Sequence, residues 1–145
     1  MKVVLQVVDK ATVTVDNEVV GSINKGYLLL VGVFENDNEE KAVKLAQKIS
    51  KLRVFPDGQG KTNLSLQDVN GSILSVSQFT LCADLTGSNR PSFSLAAKRD
   101  KAIHLYEVFN NKLKELGFIV ETGRFGADMS VDLVNKGPFT LVVDN

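Results

Sequence analysis

Tryptophan is absent from the 145 residues, histidine and cysteine occur once each, and proline occurs three times. A single cysteine, Cys82, cannot build an internal disulfide framework, so the fold must rest on its core, and the cytoplasm is the expected compartment. The one histidine, His104, lies in a helical stretch without a ligand-spaced partner. Structural zinc sites need about four nitrogen or sulfur ligands, so no metal is expected. The same shortage argues against a Ser–His–acid triad or a histidine-activated Cys82. No apolar run approaches the roughly 18 residues that cross a bilayer. Met1 to Leu5 leads straight into strand-like sequence, without a signal-peptide pattern, and no membrane partner is expected. Excess charge is lacking too, with 17 basic against 17 acidic residues. That balance disfavours a broad, salt-driven grip on nucleic acid, and no DNA partner is expected. A local patch could still hold one end of an RNA. Neither phosphate-loop template occurs, so ATP and NAD are not indicated and no cofactor is expected.

What is present is a chain of one-domain size, read as a single unit over 1–145. Val3 to Val8 is apolar except for Gln6, as in a strand buried on both faces. Ala11–Val15 and Glu18–Ile23 flank Asp16-Asn17, a hairpin signal. After the Lys25-Gly26 turn, Tyr27 to Phe34 reads as a strand. Asn36 to Glu40 opens a helix capped by Asp37 or Asn38. Ala42, Leu45, Ala46, Ile49 and Leu52 form its core stripe, and Lys41, Lys44, Lys48 and Lys51 its solvated side. Arg53–Phe55 is a short strand, Pro56–Gly60 a turn, and Asn63–Val69 is ambiguous. Asn70-Gly71 turns into a strand over Ser72–Leu81. A polar loop follows over Asp84–Pro91. Ser94 to Leu116 contains a second helix on Ile103, Tyr106, Phe109 or Asn110, Leu113 and Leu116, stopped by Gly117. Phe118–Glu121 is a further strand. Together these predict an α/β domain with more sheet than helix.

Two stretches carry chemical interest. Val131–Val134 and Phe139–Val143 read as strands interrupted by Asn135-Lys136-Gly137-Pro138. Proline donates no N–H and a central strand does not run unbroken through it. Gly137-Pro138 is thus a tight turn between strands or a rigid kink of bare main chain that judges a ligand by shape. The second stretch is Ser75-Val76-Ser77-Gln78-Phe79-Thr80-Leu81. Strand alternation places Val76, Gln78 and Thr80 on one face and Ser77, Phe79 and Leu81 on the other.

Ser-Gln-Phe-Thr-Leu together with Asn-x-Gly-Pro-x-Thr is far more specific than either alone. With Arg90-Pro91-Ser92-Phe93 and Thr122–Met129, the chain resembles the D-aminoacyl-tRNA deacylases end to end. The resemblance implies layered, barrel-like mixed β-sheets with two main helices packed on one side. It implies hydrolysis of the ester of D-aminoacyl-tRNA, and of mischarged glycyl-tRNA, as proofreading of translation. It maps catalysis onto Ser77, Gln78, Phe79 and Thr80, and substrate binding onto Gly137, Pro138, Met129 and Phe125. The implied partners are the 3′ end of aminoacyl-tRNA and a second copy of the chain, with a Gly–cis-Pro motif reaching the partner's site. Many relatives carry Gln-Arg-Val in the first strand where this chain has Gln6-Val7-Val8. Either another cation replaces that arginine at the Gly-Pro segment, or the segment is held less firmly. A non-catalytic module that binds the tRNA end is the alternative.

Overall fold

Asp16 and Asn17 both take positive φ, 48° and 64°, the geometry of a two-residue turn matched to strand twist. They join β1 (Lys2–Val15) to β2 (Glu18–Ile23) as antiparallel neighbours. The two apolar segments expected in this region are therefore one 14-residue strand. In the computed structural model, which describes residues 1–145, β3 (Gly26–Gly32) returns along the first half of β1. Helix α1 (Glu39–Ser50) follows. Its cap is Asn38, whose side chain accepts from the Lys41 N–H at 3.0 Å. Asp37 is instead buried, accepting from the Met1 ammonium and the Phe34 N–H, each at 2.7 Å.

A small hairpin of β4 (Arg53–Pro56) and β5 (Thr62–Ser65) comes next. Only the start of the ambiguous Asn63–Val69 stretch is strand. β6 (Ser72–Ser77) runs parallel to β3, and β7 (Val120–Thr122) runs parallel to β6. Between them lies α2 (Arg99–Glu115), which ends one residue before Leu116. β8 (Ser130–Asp144) pairs antiparallel with β1. The main sheet runs β2-β1-β3-β6-β7, with β8 on the other side of β1. β2 comes back against β6 and β7, curling the sheet toward a barrel.

Gly21 marks that closure. A Cβ there would stand 2.7 Å from the Thr122 carbonyl oxygen and 3.0 Å from a Leu74 methyl. A main-chain oxygen cannot swing aside as a side chain can. Gly21→Ala is therefore expected to cost about 1–3 kcal/mol through overpacking. That lowers Tm by roughly 3–10 °C in a chain of this size, as a thermal melt will show.

Alternation along the strands feeds two cores. Val3, Leu5, Val7, Tyr27, Leu29, Val31 and Ile73 meet Leu45 and Ile49 of α1 and Phe109 and Leu113 of α2. Val8, Ala11, Val13, Leu28, Leu74 and Val76 form a smaller cluster on the opposite face. Burial on both faces explains why the first strands read as nearly unbroken apolar runs.

Two expectations need correction. The strand expected over Ser72–Leu81 ends at Ser77, and Phe79–Cys82 form a 3-10 turn. The parallel ladder with β3 stops at the Val31–Ser77 pair, so nothing remains to keep the chain extended. The two strands expected around Gly137-Pro138 are one 15-residue strand, not a pair joined by a tight turn. Gln6 pairs with Thr140 and Val8 with Asn135. Lys136 to Phe139 therefore stand opposite Val7 alone, and the surplus residues bulge outward, where proline's missing N–H costs no ladder bond.

Candidate active site

The carboxyl ends of parallel strands are where open α/β sheets receive ligands. Here β3 and β6 end together, and the Gln78 N–H donates the last bond across them, to the Val31 carbonyl at 2.8 Å. Beside this end lies a cavity of about 540 Å³, within the usual span of small-molecule sites, roughly 300–1,000 Å³. Val31, Val33 and Val76 to Phe79 line one part of it. Ala102 and Tyr106 of α2 line a second part, and the loop Phe125–Met129 between β7 and β8 a third.

Of the residues expected at the site, Ser77, Gln78, Phe79, Phe125 and Met129 line this cavity. Thr80, Gly137 and Pro138 do not. Thr80 is nevertheless tied to it, because the Gln78 side-chain amide donates to Thr80 Oγ1. The 3-10 turn, not strand alternation, brings these two together. The Leu81 N–H, donating to the Gln78 carbonyl at 3.2 Å, is the first bond closing the turn. The Phe79 and Thr80 N–H groups precede it and so lack partners within the turn. The Phe79 ring is 57% exposed and meets Phe93 edge-on at 4.9 Å between centroids. An apolar pocket beside free main-chain donors suits a small acyl group whose carbonyl must be polarised.

The Gly137–Pro138 peptide is cis, with Gly137 at φ 124°. Both residues are exposed on the outer side of β8. Val7 does not point toward them: its side chain is 5% exposed and packed in the main core. Neither reactive-looking side chain lines the cavity. Cys82 is buried with its Sγ 3.4 Å from the Val33 carbonyl, and burial pushes its thiol pKa up, away from a nucleophilic thiolate. His104 sits on the exposed side of α2, its Nε2 2.5 Å from Glu39 Oε1.

Tyr106, which the sequence marks only by the spacing of the second helix, packs in the core, lines the cavity and donates to the buried Ser75 carbonyl at 2.7 Å. Burial raises its pKa, keeping the hydroxyl a neutral donor. Helical spacing cannot distinguish a core tyrosine from one at a pocket edge. Arg99, which no motif or stripe in the sequence singles out, also lines the cavity, with its guanidinium 5.7 Å from the Phe125 ring centroid and no ion pair.

Comparison with known proteins follows the same outline. The family described as D-Tyr-tRNA(Tyr) deacylase matches residues 4–144. The D-aminoacyl-tRNA deacylase of Lactobacillus gasseri is 58% identical over 144 residues, covering 99% of both chains. That of an Exiguobacterium species is 60% identical, covering 99% of this chain and 98% of its own. Among solved structures, a c-Myc DNA unwinding element binding protein superposes with a TM-score of 0.94 at 36% identity, covering 100% of this chain and 99% of its own. A structure described as a probable eukaryotic D-amino acid tRNA deacylase gives 0.82 at 19% identity, covering 99% and 98%. At that identity the likeness speaks for the fold alone.

Proposed function

The chain belongs to the D-Tyr-tRNA(Tyr) deacylase family, and from that premise we propose that it hydrolyses the ester bond of D-aminoacyl-tRNA, releasing free D-amino acid and tRNA. Glycyl-tRNA is cleaved as well, and L-aminoacyl-tRNA is rejected. In a cytoplasm that makes protein, this is proofreading. The observation that carries the proposal is an apolar pocket at Ser77–Phe79 with free main-chain donors and no activated side-chain nucleophile in its lining.

The ester of an aminoacyl-tRNA is already activated, so positioning and charge stabilisation suffice. Water attacks the ester carbonyl. The N–H groups of Phe79 and Thr80 receive the oxyanion, and the 2′-hydroxyl of the terminal adenosine assists the attack. The bond to the ribose 3′ oxygen then breaks, and that oxygen takes the proton. Gln78 and Thr80, joined side chain to side chain, hold the turn that presents these donors. Phe125 and Met129 bound the acyl side chain.

Gly137 and Pro138 lie outside their own chain's cavity and are exposed. A homodimer, in which they wall the partner's pocket, gives them a substrate to judge. β8 supports this arrangement: it pairs only with β1, leaving its other edge free, and Val134 and Val142 are 43% and 64% exposed. A free edge of that length is a template for association.

Single-turnover assays with D-Tyr-tRNA and L-Tyr-tRNA side by side test the activity. The D-ester is expected to be lost and the L-ester spared. Binding of tRNA at low salt with neither ester cleaved would select the non-catalytic module instead. Cys82→Ser and His104→Ala are each expected to keep the wild-type rate within about threefold, since neither touches the pocket. Mass spectrometry of acid-quenched reactions should show no acyl group on Thr80; an acyl–Thr80 adduct would replace the water mechanism with a covalent one.

A further inference from the structure

One side chain ties the base of the Gly137–Pro138 bulge. Asn135 Nδ2 donates to the Val7 carbonyl at 2.9 Å, on β1 beneath the bulge, and to the Phe139 carbonyl at 3.0 Å, at the bulge's far end. A single amide therefore joins both ends of the excursion to the strand it leaves. The amide is also oriented. Its Oδ1 accepts from Thr140 Oγ1 at 3.4 Å, and that oxygen in turn accepts from Gln6 Nε2 at 3.2 Å. With the oxygen turned to a hydroxyl, the nitrogen faces the two carbonyls. Val7 supplies only its main chain here, since its side chain is in the core. The nearby cation, Lys136, makes a loose 3.9 Å pair with Asp9. The segment is thus held by a neutral amide, with no arginine from the first strand.

We propose that Asn135, oriented by Thr140 and Gln6, is the positioning residue that fixes the Gly137–Pro138 wall and so sets how strictly L-substrates are rejected. This rests on the deacylase function proposed above. Rejection by clash works only against a wall that does not yield. An exposed excursion of four residues opposite one, Lys136–Phe139 against Val7, has few other ties. Displacements of about 1 Å at a reacting centre are worth up to about 100-fold in rate.

Asn135→Asp tests this with almost no change of shape. It removes both donors and sets a carboxylate against two carbonyl oxygens. Thr140→Val removes the hydroxyl that orients the amide, and Thr140→Ser keeps it. Two readouts are needed: single-turnover rates on D-Tyr-tRNA and L-Tyr-tRNA, and 15N relaxation of the Lys136, Gly137 and Phe139 amides. For Asn135→Asp the D-over-L ratio is expected to fall by about 10–100-fold, mainly through faster L-ester cleavage. The three amides lose order while core amides keep their wild-type shifts. Thr140→Val shows the same change in smaller degree, and Thr140→Ser matches wild type. An unchanged ratio in Asn135→Asp overturns the proposal, whether or not the bulge loosens. If wild type cleaves neither ester, the deacylase function fails separately. The relaxation data then still judge the clamp, with ordered amides in wild type and mobile ones in Asn135→Asp supporting it, and identical relaxation overturning it.

Discussion

Gly137→Ala is expected to lower the preference for D- over L-Tyr-tRNA by at least about 100-fold, or about 2.7 kcal/mol. Gly137 sits at φ 124°, where an L residue is strained. An added Cβ would stand 2.9 Å from the Phe139 nitrogen and 3.2 Å from its Cβ. The bulge must therefore rearrange. Energetics show why such a wall would be built from main chain. A thousandfold discrimination between enantiomers needs about 4 kcal/mol, while a soft apolar pocket distinguishes a methylene by only about 1–3 kcal/mol. The difference calls for a rigid clash. A wall of main chain rejects on the position of Cβ, without regard to what lies beyond it, which suits broad use on D-amino acids. Glycyl-tRNA carries no Cβ, so its cleavage should change much less than the D-over-L ratio in the same variant. Parallel single-turnover rates on the three esters measure this.

The second large effect is expected at the other side of the site. Ala127→Phe should lower kcat/KM on D-Tyr-tRNA by at least about 100-fold, about 2.7 kcal/mol, with little change in Tm. Ala127 belongs to the loop that lines the cavity, is half-buried, and donates its N–H to the Arg124 carbonyl at 3.1 Å. Its φ is not positive, so a larger side chain meets no backbone strain. A benzyl group there takes up room in the cavity of about 540 Å³ that is proposed to receive the acyl side chain. The fold is spared because the cavity is open space and not core. Steady-state kinetics with a thermal melt separate the two outcomes.

The local parts of the fold were readable from local pattern. Asp16-Asn17 gave the hairpin, the stripe from Ala42 to Ile49 gave α1, and Gly117, at φ 96°, gave the stop after α2. What escaped depended on distant partners. β6 ends at Ser77 because β3 ends alongside it, and nothing within Ser72–Leu81 records where β3 stops. The Gly137-Pro138 rule was sound locally, since proline does leave the ladder, yet the strand resumes because β1 continues on the other side. Ser77, Gln78 and Phe79 could be matched to a motif. Tyr106 and Arg99 could not, because a helix stripe does not say which turn faces a cavity. Val7, where the family resemblance implies an arginine, can be read from the sequence, while the hydrogen bonds of the Asn135 amide to the Val7 and Phe139 carbonyls need the strand register to be seen.

The claim that pocket and wall come from different subunits meets its most direct test in a mixed dimer. Gly137→Ala and Ala127→Phe chains carrying different tags are combined, and the heterodimer is purified through both tags. Its single open pocket belongs to the Gly137→Ala chain, and in a cross-subunit site the wall facing that pocket comes from the intact Gly137 of the Ala127→Phe chain. The expected result is a D-over-L ratio restored to the wild-type value at that one site, assayed on Tyr-tRNA. A ratio as poor as that of the Gly137→Ala homodimer would place the wall within its own chain, and failure to form any heterodimer would contradict the shared site altogether.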